Sequence, residues 1–130
     1  MSKLFCDLSS NNGLAQIRAA VSQTDGVIIK ATEGKSYVNQ SMAYTIGQAK
    51  AQNKMIGFYH YARPEKNPQP IDEVLHFIKN VYPYIGKCPM FLDWEGAALN
   101  CGQQWARDWL DYFYNITGVR PAIYIQESAV

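Results

Sequence analysis

The chain has 130 residues, with 12 Lys and Arg side chains against 11 Asp and Glu side chains and a formal net charge of +1. Hydrophobic residues make up 48% and charged residues 18%, values typical of one globular domain with a buried core. A near-zero net charge without a Lys or Arg cluster argues against a nucleic-acid partner, because such partners require cations that neutralise phosphates. We therefore expect residues 1–130 to form a single domain.

Membrane insertion, export and metal binding have little support in the sequence. No apolar run approaches the ~20 residues that cross a bilayer, and residues 1–4 lead directly into patterned sequence rather than into a signal peptide. The three cysteines form no CxxC pair, and there are only two histidines. The expectation is a protein without a membrane partner, an export signal, a metal or a cofactor.

Hydrophobic residues follow strand and helix patterns in alternation along the chain. Five segments have the apolar composition of strands: 4–8, 27–32, 57–61, 89–96 and 119–126. Four segments between them have apolar residues at helical spacing: 14–21, 42–49, 71–82 and 105–113. The predicted buried face of the third helix consists of five apolar side chains: Val74, Leu75, Ile78, Val81 and Tyr82.

Strands that alternate with amphipathic helices predict an α/β fold with parallel strands and right-handed crossovers. An eight-stranded barrel usually takes at least ~200 residues, so five strands indicate either an open sheet or part of a barrel. The chain ends at Val130, just after the fifth strand, where a crossover helix would begin. That ending predicts truncation on the C-terminal side.

Parallel α/β folds bind ligands at the carboxyl ends of their strands. The five predicted strands end in these polar residues: Asp7; Lys30, Thr32 and Glu33; Tyr59, His60 and Tyr61; Asp93 and Glu95; Tyr124 and Gln126. Asp93 and Glu95 share one face of a strand, with Cα atoms about 6.6 Å apart at ~3.3 Å per residue. Crowded carboxyls against aromatic walls predict a raised pKa for at least one of them, as glycoside hydrolysis requires.

Simpler structural interpretations stand beside this one. A carboxylate such as Asp7 or Glu33, taken alone, is more often a helix cap or a surface charge than a catalyst. Lys30 in an apolar strand is explained by pairing with a nearby carboxylate. His60 is more often a hydrogen-bonded core histidine than a general base. Asp93 together with Glu95 is harder to explain structurally, because two acids on one face of an apolar strand oppose burial.

Four short motifs together resemble the family 25 glycoside hydrolases, the Chalaropsis-type lysozymes. They are Asp7-Leu8-Ser9 with Asn12-Gly13, Ile29-Lys30-Ala31-Thr32-Glu33-Gly34, Gly57-Phe58-Tyr59-His60-Tyr61 and Leu92-Asp93-Trp94-Glu95. Their order and spacing also match, over essentially the whole chain. The D-x-E motif alone is weak, but four matching strand-end motifs make a specific signal.

The resemblance implies an N-acetylmuramidase that cuts the β-1,4 bond after N-acetylmuramic acid in peptidoglycan. It also implies a modified TIM-like barrel of five β-α units and three further strands. By this resemblance Glu95 would be the general acid, and Asp93 would orient and stabilise the 2-acetamido group of the substrate. Asp7 would tune the charge of this acidic pair. Five further residues are expected to bind substrate or to support the cleft: Lys30, Glu33, Tyr59, Tyr61 and Tyr124.

The last three strands of that family have no counterpart in these 130 residues. The cleft is therefore expected to be open along one side, with unpaired strand edges. This predicts a fragment with impaired activity, or a homo-oligomer that closes its sheet edges with a second copy.

A cell-wall muramidase released like a phage endolysin is the leading interpretation. A glycan-binding barrel remnant without turnover is the second, and an open flavodoxin-like nucleotide-binding sheet is the third, although no Gly-rich phosphate loop follows the first strand.

Overall fold

The computed structural model describes residues 2–126, which form one sheet and four α-helices. The strands are β1 (Phe5–Leu8), β2 (Gly26–Glu33), β3 (Tyr37–Val38), β4 (Met55–Tyr61), β5 (Met90–Glu95) and β6 (Ala122–Gln126). The helices are α1 (Leu14–Gln23), α2 (Met42–Ala51), α3 (Pro70–Val81) and α4 (Gln103–Thr117). Two short 3-10 segments cover Tyr82–Tyr84 and Gly96–Asn100.

The strand order across the sheet is β1-β2-β4-β5-β6, and all of these neighbours are parallel. The order follows the chain without reversal, so right-handed crossovers place every helix on the same face. A doubly wound sheet would reverse its strand order and place helices on both faces. The predicted α/β class is confirmed, and the sheet is part of a TIM-like barrel rather than a flavodoxin-like layer.

One strand is absent from the sequence prediction. The two-residue strand β3 pairs antiparallel with the end of β2, where Thr32 lies opposite Val38 and Glu33 opposite Tyr37. Two residues are too few to show the alternation that identifies a strand. The short hairpin places the Tyr37 ring beside the carboxyl end of β2.

The helix-covered face of the sheet contains the hydrophobic core, and here one prediction is wrong. Leu75 is 51% exposed and Tyr82 is 73% exposed, although both were expected on the buried face of α3. Val74 and Val81 are fully buried, as predicted, but the buried face also contains Glu73 and Phe77, both fully inaccessible. These two were missed because a carboxylate occupies the first position of the stripe that runs through Glu73, Phe77 and Val81 at i, i+4 and i+8.

The opposite face of the sheet is concave and is covered by no helix among residues 2–126. Phe5, Ile28 and Phe91 line a cavity of about 430 Å³ there, and the adjoining cavity at the amino ends of the strands has about 460 Å³. The described strands β1 and β6 each have one neighbour, and all five residues of β6 are exposed. In the described part of the chain, no helix is long and apolar enough to span a bilayer.

Candidate active site

The concave face brings together three carboxylates that are distant in sequence. Asp7 lies near the end of β1, and Asp93 and Glu95 lie in the last three residues of β5. Asp7, Tyr59 and Tyr124 line the 430 Å³ cavity above an aromatic floor. The parallel pairing of the strands produces this arrangement, because it brings the carboxyl ends of β1, β4, β5 and β6 to one edge of the sheet.

Asp93 is the most buried of the three acids, with 2% of its surface exposed. Its Oδ1 atom has no hydrogen-bond partner among the described residues. Burial raises the pKa of Asp93 to about 9, assisted by a hydrogen bond and negative charge from Glu95 and by the charge of Asp7, while Lys30 lowers it. The expectation of a carboxyl that keeps its proton near neutral pH is confirmed.

Glu95 is half-buried at the end of β5 and is more accessible than Asp93. The next residue, Gly96, has φ of +62°, and a Cβ atom there would lie 2.8 Å from the hydroxyl oxygen of Tyr61. A side chain at this position would be strained and would also displace the Tyr61 hydroxyl. The turn after Glu95 therefore depends on glycine, and it holds Tyr61 close to the acidic pair.

The tyrosines at the ends of β4 and β6 surround these carboxyls. Tyr59 and Tyr61 lie two residues apart in β4, so both project from the concave face. Burial raises the pKa of both Tyr59 and Tyr61, and nearby carboxylates raise both values further. The largest carboxylate contribution comes from Asp7 at Tyr59 and from Glu95 at Tyr61. Tyr124 donates its hydroxyl hydrogen to Gln126 Oε1 at 3.0 Å. All three phenols therefore remain protonated hydrogen-bond donors at neutral pH.

An ion-pair array lies beside the acids, at the carboxyl end of β2. The Lys30 ammonium donates to Glu33 Oε1, as expected for a lysine in an apolar strand, and lies 4.8 Å from the ring centre of Tyr61 and 5.1 Å from that of Tyr37. Arg63 Nε donates to Glu33 Oε2 at 2.8 Å. Burial opposes ionisation of Glu33, but its contacts with Lys30 and Arg63 lower its pKa overall. Arg63 was not predicted as a site residue, because it lies in a loop with no motif of its own.

His60 lies on the helix-covered face and is a core histidine, as the structural interpretation predicted. Its ring is fully buried and stacks on Trp109 at 5.5 Å between centres. Nδ1 lies 2.7 Å from Thr32 Oγ1, and Nε2 lies 2.7 Å from Glu73 Oε1. Burial lowers the pKa of His60 despite the bond to Glu73, so the ring is neutral. Glu73 was also missed, although its position four residues before Phe77 was a usable signal.

These features define a carboxylate cleft at the C-terminal edge of a (β/α) barrel sheet. The sequence profile described as "Glycosyl hydrolases family 25" matches residues 6–129, and the chain belongs to that family. No curated protein sequence matches significantly. The family resemblance drawn from the four strand-end motifs is confirmed.

Solved structures of similar fold agree with this assignment. A family GH25 lysozyme from Aspergillus fumigatus is 25% identical with a TM-score of 0.75, and the match covers 95% of this chain and 64% of the lysozyme. A muramidase from Acremonium alcalophilum is 25% identical with a TM-score of 0.76, over 92% of this chain and 63% of that one. The catalytic domain of endolysin ply40 from bacteriophage P40 of Listeria monocytogenes shares the fold at 21% identity and a TM-score of 0.74, over 96% and 64%. The chain thus spans less than two thirds of each of these structures.

Proposed function

We propose that this protein is a muramidase, which hydrolyses the β-1,4 bonds between N-acetylmuramic acid and N-acetylglucosamine in bacterial peptidoglycan. The observation that carries the proposal is the Asp93 carboxyl, whose pKa is raised to about 9 beside Glu95 at the carboxyl end of β5, with Asp7 close by. Family membership and the likeness to a lysozyme and a muramidase, each 25% identical, support it. The site of action would be the bacterial cell wall.

In this mechanism Glu95 is the general acid. In this proposal Asp93 passes its proton through its hydrogen bond to Glu95, which is the more accessible of the two to a glycosidic oxygen. Once Glu95 donates the proton to the leaving oxygen, negative charge remains beside the developing oxocarbenium ion. Asp93 orients and stabilises the 2-acetamido group in this proposal, and Asp7 tunes the charge of the pair.

Substrate binding is assigned to the side chains around the pair. Tyr59, Tyr61 and Tyr124 supply ring faces for stacking on sugar C–H groups and hydroxyls for hydrogen bonds. Lys30 and Glu33 bind each other, so their contribution is to shape the cleft edge rather than to present a free charge. In this proposal the 130 residues act as one catalytic domain.

The test compares the native chain with Glu95→Gln on purified peptidoglycan, by release of reducing ends and by mass spectrometry of the new termini. Asp111→Asn is the matched control, because this carboxylate is exposed on α4 and lies outside the cavity. New muramic-acid reducing ends from the native chain and the control, lost in Glu95→Gln, would establish the function. A folded native chain that binds peptidoglycan but releases no reducing ends would refute it.

A second candidate is glycan binding without turnover, or assembly with a second copy. The exposed strand β6 and the uncovered concave face favour it, since both expose apolar and aromatic side chains. Peptidoglycan pull-down without release of reducing ends would support binding alone. A dimer by light scattering would support assembly, whereas a fully active monomer would contradict both forms of this candidate.

A further inference from the structure

The loop after β4 is held by a buried carboxylate on the far side of the sheet from the cleft. Glu73 is fully inaccessible and accepts three hydrogen bonds. The donors are His60 Nε2 at 2.7 Å, the backbone N–H of Arg63 at 3.1 Å and Asn67 Nδ2 at 2.8 Å. Thr32 donates to the other nitrogen of the neutral His60 ring, so each of these polar groups has a partner.

Two of these donors belong to one short loop. The backbone N–H of Arg63 and the side chain of Asn67 bind the two oxygens of Glu73, and the backbone N–H of Asn67 also donates to the Arg63 carbonyl at 3.0 Å. Trp105 of α4 donates its indole N–H to the Asn67 carbonyl at 2.8 Å. Residues 63–67 therefore have their backbone position set from inside the core.

The same loop carries a cation to the cleft. The Arg63 guanidinium donates through Nε to Glu33 at 2.8 Å and through Nη1 to Glu65 at 3.0 Å. Glu33 in turn holds the Lys30 ammonium, which lies over the Tyr61 ring. One continuous series of contacts thus joins Glu73 in the core to Tyr61 in the cleft.

We propose that Glu73 is a positioning residue, which fixes the loop at residues 63–67 so that Arg63 holds Glu33 and Lys30 in place at the cleft edge. Its effect on substrate depends on the proposed muramidase function. Its effect on Arg63 does not, because it follows from hydrogen bonds inside the chain. A carboxylate suits the role, since it only accepts hydrogen bonds and all three partners are donors.

The direct test follows the Arg63 Nε proton by NMR, as its rate of exchange with water. In the native chain the bond to Glu33 should protect this proton, and Glu73→Gln should raise its exchange rate by about tenfold or more as the loop is released. Glu65→Gln is the matched control, because it removes a carboxylate from the same guanidinium but leaves the Nε contact intact. Native exchange in a folded Glu73→Gln variant would overturn the proposal.

If Glu73→Gln does not fold, Asn67→Ala removes the loop side of the contact and leaves Glu73 with its other donors. The same loss of Nε protection is expected, and its absence would count against the proposal. The exchange rate of the Arg63 Nε proton can be measured without substrate. A chain without turnover would therefore refute the proposed function, whereas the proposal on Glu73 would still be decided by proton exchange.

Kinetics separate positioning from a general loss of stability. Arg63→Ala keeps the backbone N–H that Glu73 binds but removes the guanidinium. It should raise KM about fivefold, because the cleft edge loses one charge-assisted contact that holds it in place. Glu73→Gln should raise KM similarly in the native background and cause no further rise in the Arg63→Ala background. Multiplicative effects in the double variant would show that Glu73 acts independently of Arg63 and would overturn the proposal.

Discussion

Two buried carboxyls lie on opposite faces of this sheet, and their surroundings differ sharply. Glu73, on the helix-covered face, is surrounded by donors and accepts three hydrogen bonds. Asp93, on the concave face, has one oxygen with no hydrogen-bond partner within residues 2–126 and has two acidic neighbours, and its pKa is raised to about 9. Both are nearly inaccessible to water, so burial alone does not distinguish them.

The number of surrounding hydrogen-bond donors distinguishes these two carboxyls. A buried acid surrounded by donors remains an acceptor and holds its neighbours in place. A buried acid beside other acids retains a proton, which it can exchange with a substrate. The predictions below alter one side of this contrast at a time.

Removal of the acid next to Asp93 should have the largest effect. Glu95→Gln should lower kcat at least ~100-fold in the reducing-end assay, the usual contribution of a general acid. The fold should be unchanged, because Glu95 is half-buried at the very end of β5. Retention of more than half of the native kcat would show that Glu95 is not the acid.

The turn that follows Glu95 should be the next most sensitive. Gly96→Ala places a Cβ in the left-handed region and within 2.8 Å of the Tyr61 hydroxyl. We expect kcat/KM to fall about tenfold, since small displacements of positioned groups are costly in catalysis. Gly13→Ala is the control, because a Cβ there meets no atom within 4 Å. Equal activity of the two variants would contradict this account of the turn.

The contrast also predicts opposite effects on stability. Glu73→Gln replaces one of the two acceptor oxygens with an NH2 group that faces buried donors, and it should lower the free energy of unfolding by about 1–3 kcal/mol. Asp93→Asn removes a crowded acid and should leave the free energy of unfolding unchanged or raise it at pH 7. Urea denaturation of both variants measures the difference. Destabilisation by Asp93→Asn as large as that by Glu73→Gln would remove the distinction.

The last prediction concerns the pH dependence of stability. Folded Asp93 holds its proton up to about pH 9, whereas an unfolded aspartate releases it near pH 3.9. Between these values the native state binds more protons than the unfolded state, so stability falls as the pH rises. Asp93→Asn should flatten this fall between about pH 4 and about pH 9. An identical slope in both proteins would show that Asp93 does not hold the proton.

Much of the fold could be predicted from the sequence because its signals are local. Apolar runs and helical stripes located the five parallel strands and the four helices, and the parallel arrangement followed from their alternation. The place of Asp93 and Glu95 on one face followed from the two-residue period of a strand. The ion pair of Lys30 and the hydrogen bonds of His60 could also be predicted, because a polar group in an apolar strand needs a partner.

The rest depended on contacts between distant segments. The strand β3 is too short for a pattern, and part of the buried face of α3 was misassigned because Glu73 interrupts its apolar stripe. Arg63 enters the site through a loop whose position is set by Glu73, ten residues later in the chain. Periodicity cannot report such contacts, because they depend on which elements face one another.

The sequence by itself therefore determined the class of fold, the strand ends that meet at the cleft and the acids that they carry. Only the tertiary structure decided the environment of each acid, and with it the raised pKa of Asp93 and the hydrogen-bonded state of Glu73. The physical reason is that a residue type sets which charge a side chain can carry, whereas burial, neighbouring charges and donors set the free energy of that charge.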